Sequence, residues 1–352
     1  MIAPLRYYLL GITSVLLLGL TKPAAAQIGG RRAFSFLNVP AGAKLAALGG
    51  TNVSSRDADG TMFFANPALL NQEMDGRLAL SYVDYLADIS QTSAVYVFNT
   101  QHAGRFGVGL NYLSYGEFQQ VDASGNVVGE FSVNEYAVSI ADSYTSGNFT
   151  LGGTLKLAVS GIAGNHSVGV LADAGALFKH PTQDFTVGLA VRNVGYQLKP
   201  YTGSGREPMP LSVELGTSFK PEHLPFRFSI TAHHLQQLDI VYLDPAQSSQ
   251  LDENGDPIIP EKTLGDKIAR HFAAGGELLL SKNLHLRVGY NHLARRELRL
   301  DNTGGGAGFS FGAMLRISQF QLDYTRAGYH ASGAANYFTL ARNIDSLFTK
   351  EK

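Results

Sequence analysis

The chain has 352 residues, with 28 basic and 29 acidic side chains, a formal net charge of -1, and no cysteine or tryptophan. Near-neutrality excludes the basic surface that nucleic-acid binding demands. The lack of cysteine excludes disulfides and a thiol nucleophile, so an exported chain must be held by packing and hydrogen bonds alone.

Residues 1–26 carry Arg6, an apolar run from Tyr7 to Leu20 and the small residues Ala24, Ala25 and Ala26 before Gln27. That layout is a secretory signal peptide, which predicts export by the Sec pathway. The run is too short for a good spanning helix, and no later stretch approaches ~18 consecutive apolar residues. Residues 27–75 are irregular and rich in small side chains (Ala41, Gly42, Ala43, Ala46, Ala47, Gly49, Gly50), with Phe63, Phe64, Leu69 and Leu70 clustered around Asn66, Pro67 and Ala68. Pro67 fixes its own φ and biases Asn66 away from the α region, while the Asn66 side chain can bond the local backbone, so a rigid turn is expected there. A disordered tail lacks such apolar clusters.

From residue 76 to 345 the pattern alternates with period two, as in Phe149, Leu151, Leu155, Leu157 and Val159 against Thr150, Gly152, Thr154, Lys156 and Ala158. The alternation predicts strands at 77–86, 91–99, 104–115, 130–143, 148–161, 167–179, 184–195, 210–220, 226–239, 268–280, 284–293, 307–317, 319–328 and 334–342. Most have the length of tilted strands that cross a bilayer, roughly 9 to 11 residues. Connections after even strands are brief, as at Thr145-Ser146-Gly147 and Ser281-Lys282-Asn283, whereas Glu117–Gly129, Tyr196–Pro208, Asp239–Lys267 and Arg295–Gly306 are long. A soluble sandwich or propeller predicts no such sidedness. The fold class expected is therefore all-β: a transmembrane antiparallel β-barrel of about 14 strands. Its polar face would line a wet lumen with Lys156, Glu214, Arg227, His285, Arg287 and Asp323. Side chains alone fill barrels only near eight strands, so residues 27–75 are expected to form a lumenal plug, or hatch. Residues 346–352 would be a short tail.

No catalytic or metal-binding constellation emerges, so neither an enzyme nor a cofactor is expected. His233 and His234 fall in a predicted strand, where neighbouring side chains point to opposite faces and cannot chelate one ion. Asp252–Asp256 reads as a solvated turn rather than a calcium loop, since no helix pattern flanks it, and Gly304–Gly308 opens a strand, which is no phosphate cradle. The loop Asp239–Lys267 sets Asp244, Asp252, Glu253, Asp256, Glu261 and Asp266 against Lys262 and Lys267, an acidic patch able to steer a surface partner.

The stretch AALGGTNVSSRDADGTMFFANPALL ahead of a long β region resembles barrels related to the long-chain fatty-acid transporter FadL of Gram-negative outer membranes. FSFLNVPAGAKLAALGG at 34–50, NPALLN at 66–71 and SYVDYLADIS at 81–90 resemble, more narrowly, the PorQ group of type IX secretion system barrels in Bacteroidetes. That resemblance covers the mature chain. It implies a non-enzymatic docking platform in an attachment complex with a PorU-like sortase, a PorV-like barrel and a PorZ-like surface protein, working on lipopolysaccharide. The wider family implies instead a transporter of hydrophobic small molecules. Outer-membrane barrels often end on an aromatic residue, whereas this chain runs past Phe348 to Thr349, Lys350, Glu351 and Lys352.

Overall fold

The computed structural model describes residues 32–100, 104–201, 205–241, 263–298, 305–330 and 333–345. Among them are β1 (Arg77–Asp84), β2 (Ser90–Thr100), β3 (Gly104–Val121), β4 (Val127–Ser146), β5 (Phe149–Ile162), β6 (Asn165–Lys179) and β7 (Asp184–Lys199). The series continues with β8 (Ser212–Lys220), β9 (Phe226–Ala232), β10 (Phe272–Leu279), β11 (Leu284–Asn291), β12 (Phe309–Ile317), β13 (Phe320–His330) and β14 (Gly333–Asn343). Each strand pairs antiparallel with the next in sequence, and β1 meets β14 from Arg77↔Asn343 to Asp84↔Asn336, which closes the ring. A closed antiparallel barrel of 14 strands is thus the fold that the alternation predicts.

Which face is apolar decides what solvent surrounds the ring. On β5, Leu155 is 67% exposed while its neighbour Lys156 is 4% exposed. The same inversion recurs on the other strands: Val138, Ile140, Leu189, Phe228, Leu286 and Leu340 point outward, and Ser139, Arg227, Arg287 and Thr339 point inward. A soluble core would reverse that arrangement. An apolar band around a ring without edges is built for hydrocarbon, where every backbone polar group has to be paired internally.

Several connections depart from the sequence expectation. The predicted loop 117–129 is mostly strand, because β3 and β4 stay paired up to Val121↔Val127. Strand β9 stops at Ala232 instead of reaching 239, and short helices at Leu264–Ala269 and His292–Glu297 occupy two of the long connections. Sidedness persists as a tendency: the connections 147–148, 180–183, 221–225 and 280–283 at one end are all short, whereas at the other end those from β7 to β8, β9 to β10 and β11 to β12 are long and 85–89 and 163–164 are short. The expected signal peptide, the tail 346–352 and most of the acidic loop lie outside the described residues.

The N-terminal segment runs inside the ring from the long-loop end to the short-turn end. It enters where the Ala33 N–H donates to Pro208 O (3.2 Å), and Phe34, Phe36 and Leu37 pack on Leu113, Ala137, Ala158 and Leu171. Further along, Phe63, Phe64, Leu70 and Met74 pack on Ala79, Val95, Val97, Ala141 and Ala341. Small wall residues meet large interior ones, and each fully buried Phe or Met contributes roughly 1.5–3 kcal/mol. At the far end the Gly76 N–H donates to Val97 O and the Ile344 N–H to Gly76 O, each at 2.8 Å, while Asn343 Nδ2 donates to Asp75 O (3.0 Å).

The facing of β5 generates a test. Leu155→Arg places a charge near the middle of the apolar band, which costs about 2–4 kcal/mol in a bilayer. The heat-modifiable, folded band on a gel should fall sharply for Leu155→Arg and stay at wild-type intensity for Val128→Arg, whose side chain stands beyond the ring on the paired extension of β4.

Candidate binding cavity and the interior ion pairs

The turn expected at Asn66-Pro67-Ala68 forms and is welded to the wall. Asn66 Oδ1 accepts from the Ala68 N–H (2.9 Å), and Asn66 Nδ2 donates to Val53 O (2.8 Å) and to Ala176 O on β6 (3.4 Å). Pro67 opens a short 3-10 turn, where its missing N–H costs nothing. The wall is shaped to receive it: a Cβ on Gly152 would collide with Pro67 and Ala68, one on Gly175 with Asn66, and one on Gly188 with Val53. Glycine at inward strand positions is therefore the sequence mark of the seat, a mark that period-two counting passes over.

Most of the inward charges are paired and buried rather than free in open water. Arg287 bonds Glu277 (3.0 Å) and Asp323, and Arg227 bonds Glu277 (3.3 Å). From the N-terminal segment, Ser55 Oγ donates to Glu277 (3.4 Å), and the fully buried Lys44 pairs with Asp57. On the adjoining strands β7 and β8 Arg192 pairs with Glu214 (2.6 Å), which also accepts from Thr51 Oγ1 (2.8 Å). Lys156 pairs with Asp173 (2.5 Å) and donates to Asn193 (2.9 Å), whose own amide donates to Asn38 (2.8 Å). His285 lies on the same face, half-buried. Lys156, Glu214, Arg287 and Asp323, expected to line a wet lumen, are instead buried in polar knots, while Arg227 borders the polar cavity at the short-turn end. Period-two counting missed Lys44, Asp57, Arg192 and Glu277 because pairing between strands, or within the irregular N-terminal segment, leaves no mark in it.

The histidine pair also differs from expectation. Strand β9 ends one residue earlier and His234 takes a left-handed φ of 56°, so the two rings meet with Nδ1 to Nδ1 at 2.6 Å instead of pointing apart. Burial, followed by the neighbouring His234, pushes His233 down from 6.5 to about 3. His233 Nε2 and Arg192 Nε, both in buried side chains, have no hydrogen-bond partner among the described residues.

Both side chains line a cavity of about 270 Å³ at the long-loop end. Pro40, Leu293, Phe309 and Tyr337 supply its apolar walls. The opposite end holds a polar cavity of about 370 Å³ bordered by Arg56, Asp57, Glu73, Lys179 and Arg227, and the two share no lining residue. A void of about 10 Å³ beside Leu37, Leu45 and Phe64 is room for about one water. The cavity at the long-loop end is thus a mostly apolar recess, separate in its lining from the polar one at the other end.

Of the expected acidic patch, Asp266 is engaged locally, with Arg270 (2.8 Å) and Arg296 (2.9 Å), and is not free to face a partner. Asp244, Asp252, Glu253, Asp256 and Glu261 lie outside the described residues, as does the turn 252–256. Among the described residues no group of His, Asp or Glu is arranged to hold a metal ion.

Two measurements follow from this geometry. Gly175→Val overpacks the seat of Asn66, at a cost of about 1–3 kcal/mol; limited proteolysis should then release the N-terminal segment, whereas Gly153→Ala, on the outward face, should leave it protected. Acidification is the second. Unfolded histidine takes up its proton first, so the stability contributed by neutral His233 is complete above about pH 6.5 and is lost as pH falls toward about 3. Amide protection of residues 233–241 should decline across that window, and a His233→Gln variant should lose the decline.

No protein-family profile and no curated protein matches the chain. Among solved structures it is similar to the Ralstonia pickettii toluene transporter TbuX, with 13% identity, a TM-score of 0.52, and coverage of 87% of this chain and 99% of that one. A mutant of TodX, a monoaromatic hydrocarbon channel, gives 15% identity and a TM-score of 0.46 over 86% of this chain and 97% of that one. A Pseudomonas aeruginosa FadL homologue gives 12% and 0.46 over 86% and 98%. The chain thus has the barrel fold of the toluene transporter TbuX.

Proposed function

We propose that the chain is a non-enzymatic outer-membrane barrel of the FadL type, with its long-loop end at the cell surface, that takes a small hydrophobic or amphipathic molecule into the surface recess. The recess carries this reading. Its walls are largely apolar, and two of the side chains lining it, Arg192 and His233, each hold a buried nitrogen without a partner, so a ligand with an apolar body and one polar group suits the recess. The shared fold with a toluene transporter leans the same way. Passage would involve a shift of the N-terminal segment, whose residues from Phe34 to Met74 pack on the inner wall.

A second reading is favoured by the stretches 34–50, 66–71 and 81–90 and by the hydrogen bonds of Thr51 to Glu214 and Ser55 to Glu277 that tie the interior segment to the wall: a docking platform of the type IX attachment complex. In that reading the chain would work beside PorU-like, PorV-like and PorZ-like partners and lipopolysaccharide in a Bacteroidetes-like cell, and the N-terminal segment would be a permanent plug.

A deletion strain separates the two. Transport predicts slowed entry of radiolabelled toluene and benzoate, with secreted cargo normally attached. It further predicts that Ala294→Trp, which fills the recess, cuts entry at least fivefold while the folded barrel persists. Unchanged entry together with unprocessed or released cargo would overturn the transport reading and establish the platform.

A further inference from the structure

Strands β3 and β4 outrun their neighbours. Pairing of β2 with β3 ends at Ser114, and pairing of β5 with β4 ends at Val133, yet β3 and β4 continue together from Glu117↔Ser132 to Val121↔Val127. A register shift between Ser114 and Glu117 marks where this ribbon leaves the wall. It rises about 15–20 Å, at ~3.3 Å per residue, beyond the outward Tyr112 and Tyr136, which face one another in register like the rim of an aromatic girdle. Its tip is firmly specified. Asp122 accepts from the N–H groups of Ser124 (2.8 Å) and Asn126 (2.9 Å), and Gly125 supplies the φ of 86° that the turn needs.

Such a ribbon has no evident reason to stand alone. Two strands without further cover are marginal in water, and both outer edges present backbone groups that no described residue pairs. Phe118, Val121, Val127 and Val128 are 43%, 57%, 57% and 59% exposed, and the rings of Phe118 and Phe131 stack at 5.5 Å. The segment is also of one sign. Glu117, Asp122 and Glu130 are its charged residues, and no Lys or Arg occurs between Arg105 and Lys156.

We propose that this ribbon docks an extended segment of a surface protein, which adds to a ribbon edge as a further strand and carries Lys or Arg at its flanks. Main-chain bonds would supply affinity and the exposed apolar side chains a footing, while the charge sets the choice of partner. A second copy would bring the same three carboxylates to the contact, and lipid phosphates are likewise anionic, so the acidity disfavours both. The proposal holds whether the barrel transports or scaffolds.

A photoreactive amino acid at Gln119, in the full-length protein in living cells, tests this. The expected product is one polypeptide, crosslinked through a peptide with Lys or Arg on both flanks. Glu117→Lys combined with Glu130→Lys should lower its yield at least tenfold without reducing the folded barrel, and the paired Gln substitutions should lower it less. A crosslink to a second copy or to lipopolysaccharide, a partner peptide without basic flanks, a yield indifferent to charge reversal, or no crosslink at all would each overturn the proposal.

Discussion

Hydrocarbon offers no hydrogen bonds, and that constraint organises the whole molecule. A backbone placed in it must pair every N–H and C=O within itself, which for strands means a ring without ends. Closure of β1 on β14 is the answer, and it forces an outside and an inside upon every strand. The apolar residues must then face out, so the polar ones are driven inward, the reverse of a water-soluble core.

Inward polarity creates a second problem, because a ring of this size is too wide for wall side chains to fill. The N-terminal segment occupies it, the charges stranded inside are matched one against another within the wall or within the segment, and hydroxyl groups of the segment bond to them across the junction. Buried pairs of this kind are weak evidence for stability, since desolvation offsets most of their attraction, but an unmatched member is severely destabilising. Arg192–Glu214 with Thr51, and Arg287–Glu277 with Ser55, therefore act chiefly as register marks. A slipped segment would leave Glu214 or Glu277 short of a partner.

Alternation is a local signal, and it made the barrel legible. Residues such as Leu155 and Lys156 declare their faces within two positions, so strand number and order could be read directly. The site could not be read that way. Whether Lys156 meets water or Asp173 depends on a strand other than its own, and whether His233 and His234 diverge depends on where β9 stops, which one left-handed residue decides. Asn66-Pro67-Ala68 was legible because its bonds are mostly to itself. Its seat at Gly152 and Gly175 was not, since a glycine in a strand has many explanations until its neighbour is known.

The latch at Gly76 ties two events that would otherwise be separate. Gly76 is the joint between the interior segment and β1, and it accepts a bond from Ile344 just past β14, while Asn343 bonds the preceding Asp75. The first and last strands thus meet around the stem of the segment they enclose. Seam and stem therefore share the same few bonds, so whatever frays the last strand also loosens the root of the segment, and a pull on that root is felt first at the seam.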